Sequence, residues 1–345
     1  MLKRVKQGLL GTARAIGALR GVADSSWRRN RLLILCYHSA SLEQEHIWRP
    51  ALYFQPDALE QRLRQIEAMR CAVLPLAEAV ARVQSGTLPD RAVVLTFDDG
   101  MYDFWSVIWP MLQKRGWPAT LYASTYYAEK QVPLFPLLCS YLLWRGRAGV
   151  LPAATIPGQT ETIPLDTAGQ RNRAQQLLLQ HCEGAGLDAA ARDGWAARLA
   201  EVLGIDVDAY RRKRLFGLMT AEEFAEAARQ GVDVQLHTHR HRTPRDRALF
   251  LREIDDNRAR LEDWTGRRLS HFCYPSGVHY QEFLPWLGER GIETATTCVP
   301  GLTLAGTNPL LLPRLVDTCG LSDVEFEGWL AGASQCLPRR AVTFG

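Results

Sequence analysis

The sequence lacks the features that mark several large classes of protein. Its 345 residues carry a formal net charge of only +4, too small and too evenly spread to favour nucleic acid as a partner. No apolar run approaches the roughly 18 residues that a membrane-spanning helix needs. The eight cysteines include no pair at CxxC spacing, which argues against a zinc site built from thiolates. Hydrophobic residues nevertheless make up 47% of the chain, so it can bury a full core.

The N-terminal segment, residues 1–30, is basic and amphipathic. The residues that share one face of the predicted helix are apolar: Leu2, Val5, Leu9, Ala13 and Ile16. Residues 1–22 could therefore lie on an anionic membrane surface, or they could form an ordinary surface helix packed on its own domain. The segment lacks the apolar stretch and cleavage site of a secretory signal. We therefore expect a cytoplasmic protein with reduced thiols, at the inner face of the membrane if this helix binds lipid.

Strand-like and helix-like stretches alternate along most of the remaining chain. RLLILCYHSA and RAVVLTFDDG begin with hydrophobic runs of strand length, and segments such as PDALEQRLRQIEAM have helical periodicity. Such alternation predicts parallel βαβ units in an α/β fold, and about six or seven strands fit a barrel better than a small open sheet. The pattern lapses between about residues 130 and 215. There, Pro/Gly-rich and helical stretches predict a mainly helical insertion into a domain spanning residues 31–345.

Two adjacent carboxylates, Asp98 and Asp99, follow one of the strand-like runs. In a parallel barrel the carboxyl ends of the strands carry the active site. Side chains alternate across a strand, so neighbouring acids diverge. One acid can bind a metal while the other faces the substrate as a base. The alternative is a pair of turn residues, because Asp is common after strands.

A histidine cluster, HTHRH, follows another strand-like run. Two imidazoles and one carboxylate form a common site for zinc or a related divalent ion with open coordination positions, which makes His237 and His241 candidate ligands. The alternative is a polar loop whose histidines bond to the backbone. His239 alternates with His237, and we leave it out of the predicted ligand set.

Three further side chains are candidates. His38 follows the first strand; a lone histidine is usually structural, but a barrel would bring it to the same rim as Asp98. Tyr274, in FCYPSG, could form an aromatic wall beside a turn that presents backbone N–H groups. Arg314 could orient a carboxylate or form a surface ion pair. We group Tyr274 and Arg314 as predicted substrate-binding residues.

Together, LTFDDG, HTHRH, YPSG and the early YH resemble the polysaccharide deacetylase family, also called carbohydrate esterase family four. The resemblance covers most of residues 30–130 and 215–320, with the motifs in the expected order. It implies a distorted (β/α) barrel, here with about seven parallel strands, and a divalent metal used to remove N-acetyl or related acyl groups from sugars. Zinc is the expected ion, with cobalt, nickel and iron as alternatives. An N-acetylated carbohydrate is the expected partner.

The resemblance also implies roles for individual residues. Asp98 resembles the general base of the family, and Asp99, His237 and His241 resemble its metal ligands. No late Leu-x-His motif follows YPSG. His38 resembles instead the early histidine of members whose acid motif lies on the N-terminal side, so we infer that it is the general acid.

Two departures from the family pattern leave questions open. Cys273 and Tyr274 occupy the place of the arginine that precedes the third motif's proline, so Arg314 supplies that charge from elsewhere or nothing does. The family's Asp-x-x-Asp-Trp segment has no convincing match. The prediction is a metal-dependent hydrolase that removes an N-acetyl group from an amino-sugar polysaccharide, oligosaccharide or sugar–lipid precursor. A metal-dependent amidase or deformylase on another substrate, and a catalytically silent carbohydrate-binding relative, remain alternatives.

Overall fold

The computed structural model describes residues 2–147 and 149–337. Its strands, in chain order, are β1 (Leu33–Tyr37), β2 (Ser39–Ala40), β3 (Tyr53–Phe54), β4 (Ala72–Val73), β5 (Ala92–Phe97), β6 (Thr120–Ala123), β7 (Val150–Leu151), β8 (Ile163–Pro164), β9 (Asp233–Leu236), β10 (His271–Cys273), β11 (Thr294–Thr296) and β12 (Leu315–Val316). Seven of them form a curled sheet in the order β11–β10–β9–β6–β5–β1–β12, and β4 pairs with β5 beside this path. Every pairing in this sheet is parallel.

Helices follow most of the strands and cover the outside of the sheet. They are α1 (Leu2–Ala15), α2 (Ala18–Asp24), α3 (Glu45–Trp48), α4 (Pro56–Ala68), α5 (Leu76–Ser85), α6 (Trp109–Gln113), α7 (Tyr126–Lys130), α8 (Phe135–Arg145), α9 (Ala168–Gly184), α10 (Ala189–Val202), α11 (Val207–Arg212), α12 (Ala221–Arg229), α13 (Arg247–Thr265), α14 (Phe283–Glu289) and α15 (Asp323–Leu330). A π-helical turn, Phe104–Ile108, precedes α6. The distorted (β/α) barrel predicted from the sequence is confirmed.

The central strands read as continuous hydrophobic runs because both of their faces are covered. All six residues of β5 and all five of β1 are buried. Parallel sheets bury both faces in this way, since each crossover helix packs back onto the sheet. Side chains at the strand ends are thereby held by rigid, buried backbone.

The barrel is closed by irregular backbone between β11 and β12. Thr296 forms an isolated parallel bridge with Leu312, and Thr297 N donates to Leu312 O at 2.9 Å. Two residues further on, Arg314 immediately precedes β12, which pairs with β1. This path carries the Arg314 side chain into the barrel interior, where it is fully buried.

The stretch from about 130 to 215 contains α8 to α11 and the antiparallel pair of β7 and β8. Helix α8 packs against α9 and α10, and its buried residues include Phe135 and Leu138. The segment lies next to the carboxyl ends of the strands, because Leu134 and Leu137 border the same pocket as Asp99.

Helix α1 packs against α15 through polar contacts and Leu10. Gln7 Nε2 donates to Glu325 Oε2 at 3.0 Å. Part of the predicted apolar face is exposed, with Val5 52% and Leu9 57% exposed, whereas Ala13 packs against the core. Among the described residues, no helix combines the length and the apolar content needed to cross a bilayer.

Candidate active site

The five predicted catalytic and metal-binding residues come from the ends of three strands. His38 follows β1, Asp98 and Asp99 follow β5, and His237 follows β9, with His241 in the loop beyond. Because β1, β5, β6 and β9 are parallel neighbours, their carboxyl ends meet at one rim of the barrel. All five side chains line one pocket of about 650 Å³.

A tight turn after β5 separates the two acids. Asp99 and Gly100 both have left-handed backbone, with φ of 78° and 81°. A Cβ on Gly100 would lie 2.9 Å from the Phe224 ring and 3.0 Å from the Ala123 methyl group, so this position requires glycine. The turn lets Asp98 point into the barrel while Asp99 points towards the histidine loop.

The side-chain atoms of Asp99, His237 and His241 converge. Asp99 Oδ1 is 3.4 Å from His237 Nε2 and 3.2 Å from His241 Nε2. Zinc bonds of about 2.0–2.1 Å place tetrahedral ligand atoms about 3.4 Å apart, so the spacing suits such an ion. His237 Nδ1 lies 2.9 Å from Cys273 O, and this contact holds the ring with Nε2 towards Asp99.

The chemistry of these three residues fits a divalent metal ion. Asp99 Oδ1 is a buried oxygen whose neighbours are the two imidazole nitrogens, and it makes no hydrogen bond of good geometry with any described residue. A buried acceptor of this kind is costly unless something pairs with it. Two imidazoles and one carboxylate would also leave coordination positions open for water and substrate.

Two other groups of side chains are close enough to share an ion, but their chemistry fits less well. Cys36, His38 and Asp98 form one group, and Asp98, His237 and Cys273 form the other. Both would need Asp98, whose two oxygens are already paired with Arg314. Both would also need a thiolate, whereas burial raises the pKa of Cys36 and Cys273 well above the ordinary value. The Asp99 group is therefore the candidate metal site.

Asp98 forms a two-point ion pair with Arg314 inside the barrel. Arg314 Nη1 donates to Asp98 Oδ1 and Nη2 donates to Oδ2, both at 2.7 Å. Burial alone would raise the pKa of Asp98, but the guanidinium outweighs it and holds the pKa well below the ordinary value. The thiols of Cys36 and Cys273 also lie 3.5 Å from Oδ2. Oδ1 is thus the less crowded oxygen of an ionised carboxylate.

The loop that carries the histidines is anchored by helix α13. Asn257 Oδ1 accepts from His237 N at 2.9 Å, and its amide group donates to Thr125 Oγ1 at 3.1 Å. Glu253 O accepts from His239 N at 3.0 Å. The His239 ring lies 2.8 Å from Thr125 Oγ1, and burial lowers its pKa to about 4. His239 is a neutral structural residue outside the candidate ligand set.

His38 borders the pocket beside Asp98, and a buried acid fixes the backbone that follows it. One ring nitrogen of His38 lies within 4.8 Å of an Asp98 oxygen. Asp103 Oδ1 accepts from Ala40 N at 2.8 Å and so holds the backbone two residues after His38. Burial raises the pKa of Asp103 to about 8, so this acid is mainly protonated at neutral pH. Nothing in the sequence pattern indicates this role beyond the proximity of Asp103 to the FDDG motif.

Tyr274 and Arg314, the predicted substrate-binding residues, are not among the described residues that line this pocket. Tyr274 is buried, its hydroxyl donates to Leu310 O at 3.0 Å, and its N–H donates to Thr296 O at 3.2 Å. Arg314 is buried against Asp98. Of the described residues on this turn, Ser276 borders the pocket instead, with a left-handed backbone at φ 55°.

Comparison with known proteins finds one family and several related structures. The sequence pattern of the polysaccharide deacetylase family matches residues 85–162 and 195–295, just over half of the chain. A poly-β-1,6-N-acetyl-D-glucosamine N-deacetylase of Escherichia coli strain K12 is 28% identical over 99 residues. That match covers 28% of this chain and 14% of the Escherichia coli protein.

Solved structures share the fold over most of their length. A Streptococcus pyogenes deacetylase, PplD, in complex with acetate superimposes with a TM-score of 0.56 at 19% identity, covering 86% of this chain and 96% of that one. IcaB from Ammonifex degensii gives a TM-score of 0.55 at 17% identity, covering 88% and 97%. A de-N-acetylase from Aggregatibacter actinomycetemcomitans gives 0.53 at 14% identity, covering 87% and 99%. At these identities the likeness concerns the fold.

Proposed function

Because the chain belongs to the polysaccharide deacetylase family, we propose that it is a metal-dependent hydrolase of N-acetyl amides. The substrate would be an amino sugar within a polysaccharide, an oligosaccharide or a sugar–lipid precursor. The observation that carries the proposal is the convergence of Asp99, His237 and His241 at the pocket that also contains Asp98.

A divalent ion bound by Asp99, His237 and His241 would polarise the amide carbonyl and lower the pKa of water from about 16 towards 7. Zinc suits this donor set, and cobalt, nickel and iron are the alternatives. The ligand positions are set by rigid backbone, since His237 follows a buried strand and Asp99 sits in a turn that admits only glycine next to it.

Asp98 is proposed as the general base that removes the proton from the attacking water. The guanidinium of Arg314 keeps the carboxylate ionised, and Oδ1 keeps spare acceptor capacity because the nearby thiols lie against Oδ2. A carboxylate with a lowered pKa is a weak base, so it suits water that is already more acidic than the bulk. Arg314 is then a positioning residue for the base.

His38 is proposed as the general acid that protonates the departing amine. It lines the pocket beside Asp98, at the end of the neighbouring strand. An acid and a base of this kind each contribute about 10²–10⁴-fold to the rate. The backbone N–H of Ser276 is the proposed donor to the negative charge that develops on the carbonyl oxygen, since Ser276 borders the pocket and the Tyr274 N–H is already bonded.

One feature of the pocket is compatible with the alternative of a non-polysaccharide amide as well. Part of its wall is apolar and comes from the insertion, through Leu134, Pro136 and Leu137. Such a wall can hold the acetyl methyl group and the apolar face of a sugar, and it can equally hold a different apolar acyl group. Release of formate, or turnover of an unrelated amide in place of N-acetylated sugars, would favour a deformylase or amidase.

The direct test is acetate release from N-acetylglucosamine oligomers of β-1,4 and β-1,6 linkage by protein loaded with zinc, cobalt or nickel. We expect release that depends on the metal and that chelators abolish. Tight binding of the oligomers without turnover under any metal would instead favour the silent carbohydrate-binding alternative.

Contact with an anionic membrane is proposed for helix α1. Val5, Leu9 and Ile16 of its apolar stripe are exposed, whereas Ala13 packs against the core and the opposite face packs on α15. The exposed cation Arg4 flanks this stripe and complements an anionic surface. The cytoplasmic location also remains a proposal, supported by eight cysteines that are all unpaired.

Vesicle binding tests the membrane proposal. Leu9→Glu should abolish co-sedimentation with phosphatidylglycerol vesicles. Ala15→Glu, which adds the same charge to the same helix away from the stripe, should retain most of it. Equal binding of both variants, or no binding of the unaltered protein, would contradict the proposal.

A further inference from the structure

A second cavity lies beside the candidate active site. It has a volume of about 410 Å³, within the size range of small-ligand pockets. Helices α9 and α10 of the insertion form one side, and α7 with the histidine loop forms the other. Tyr127 and Arg240 line both this cavity and the pocket that contains Asp99. The two cavities are therefore neighbours that share these two side chains, so a substrate chain bound at the metal site has a second cavity beside it.

The wall nearest the active site is aromatic and held in place. Tyr126 and Tyr127 pack edge to face, with ring centroids 5.2 Å apart and an interplanar angle of 89°. Tyr126 also packs against the buried ring of His239 at 5.6 Å, and the Arg240 guanidinium lies 5.5 Å from the Tyr126 centroid. The guanidinium lies over the Tyr126 ring, whereas no described cation lies over the ring of Tyr127. Tyr127 thus offers the aromatic surface that matches a C–H face of a pyranose ring, because both are flat and weakly polar.

The opposite wall offers hydrogen-bonding groups of both kinds. Arg192 Nε donates to Leu187 O at 2.9 Å, and its terminal amino groups have no hydrogen-bond or ion-pair partner within residues 2–147 and 149–337. Glu183 is exposed on the same wall, and Asp193 there pairs with Arg211 at 2.8 Å. Free donors and carboxylate acceptors around aromatic rings suit a hydroxyl-bearing ring better than a strongly charged ligand.

We propose that this cavity is a subsite for a second sugar ring of the substrate, next to the ring whose acetamide lies at Asp99. The proposal rests on the proposed function and deepens it, since it makes the enzyme selective for sugar chains over single sugars. The insertion supplies the selectivity, because α9 and α10 build the far wall. Binding of the second ring should lower KM and leave the chemical step unchanged.

A pair of adjacent alanines provides a matched test. Ala189 lines the cavity at the start of α10, whereas Ala190 is exposed and is not one of the lining residues. Ala189→Trp should fill the cavity, and Ala190→Trp adds the same bulk outside it. Acetate release is measured on N-acetylglucosamine and on its oligomers of two to five units. We expect Ala189→Trp to raise KM for the oligomers about tenfold or more, equivalent to about 1.4 kcal/mol, with the monosaccharide unaffected.

A second variant covers the case in which tryptophan disturbs the fold. Arg192→Gln removes the guanidinium without adding bulk, and it should raise KM for the oligomers at unchanged kcat. Thermal melting of each variant reports its folding. The proposal is overturned if folded Ala189→Trp and Arg192→Gln keep the oligomer KM of the unaltered enzyme, or if that enzyme shows no preference for longer chains. Absence of acetate release by the unaltered, metal-loaded enzyme would instead overturn the proposed function, and this subsite with it.

Discussion

Replacing Arg314 with methionine should destabilise the protein strongly. The substitution removes the cation but keeps an unbranched side chain of related length. It deletes both 2.7 Å contacts to Asp98 and the 3.0 Å bonds to Thr96 Oγ1 and Thr297 O. The carboxylate of Asp98 then stays buried without a counter-charge. Breaking a buried ion pair by removing one partner costs about 3–5 kcal/mol, so we expect a loss of that size in the free energy of unfolding.

The surface of the same protein supplies a matched control. Arg290 makes the same kind of two-point contact with Asp255, at 2.7 and 3.0 Å. The two side chains of that pair are 32% and 47% exposed. Exposed ion pairs contribute about 0–1 kcal/mol, so Arg290→Met should change little. The difference between the two variants in the free energy of unfolding isolates the effect of burying the ion pair.

The assay is urea unfolding of the metal-free proteins at several pH values. The pKa of Asp98 is lowered in the folded protein, so its contribution to stability is present above the unfolded value of 3.8 and lost as pH falls through the folded value. Without Arg314, burial raises that pKa, and stability is lost as pH rises instead. The stability gap between the unaltered protein and Arg314→Met should therefore widen from pH 4 to pH 8. A cost within 1 kcal/mol of that of Arg290→Met, or a gap independent of pH, would refute the reasoning.

Three further predictions concern single residues. His38→Gln should lower kcat by about 10²–10⁴-fold, because the departing amine loses its proton donor; an unchanged kcat would exclude this role. Asp103→Asn should flatten the fall in melting temperature between pH 4 and pH 8. The pKa of Asp103 is raised to about 8, so the folded protein holds this proton to a higher pH than the unfolded chain does, and stability is lost as pH rises; parallel pH curves would contradict this. Gly100→Ala should lower the free energy of unfolding, measured in urea, clearly more than the about 1–2 kcal/mol expected for Gly116→Ala. Both glycines have positive φ, but only a Cβ at Gly100 would meet a neighbour at 2.9 Å; equal losses would contradict the predicted clash.

The fold could be predicted because the sequence pattern of its strands is simple. Strands β1 and β5 are buried on both faces, so their apolar runs stand out from the periodic helices between them. The ends of those strands then indicate where side chains gather. Strand alternation would place His237 and His239, two residues apart, on the same face, so it does not explain why His239 lies outside the candidate ligand set. The left-handed backbone of Thr238, with φ of 62°, breaks the alternation after β9, and the His239 ring contacts Thr125 instead.

The environment of Asp98 could not be predicted, because it depends on how the barrel closes. The bridge between Thr296 and Leu312 brings Arg314 inside the barrel, and nothing near Arg314 in the sequence specifies that bridge. Tyr274 is buried for a related reason, since its backbone N–H completes the pairing with Thr296. Contacts of this kind join residues far apart in the chain, and local sequence carries little information about them.

The residues that hold the histidine loop were missed for the same reason. Asn257 and Glu253 lie in the middle of α13, where polar side chains usually face solvent. Both are buried, and they bond to the backbone around His237 and His239. The sequence pattern does indicate that these two side chains are buried, because Glu253 and Asn257 are one helical turn apart and face the same way as the buried apolar residues of α13. The pattern does not identify their partners, the backbone of His237 and His239, until the packing of α13 beside β9 is known.

The metal content of two isosteric variants tests the central claim most directly. Asp98→Asn and Asp99→Asn each remove one negative charge, and asparagine tolerates the left-handed backbone at position 99. After loading with zinc and removal of free ion, we expect Asp98→Asn to keep one metal per chain and to release no acetate. Asp99→Asn should lose most of its metal. Loss of metal from Asp98→Asn, or full retention by Asp99→Asn, would contradict the account.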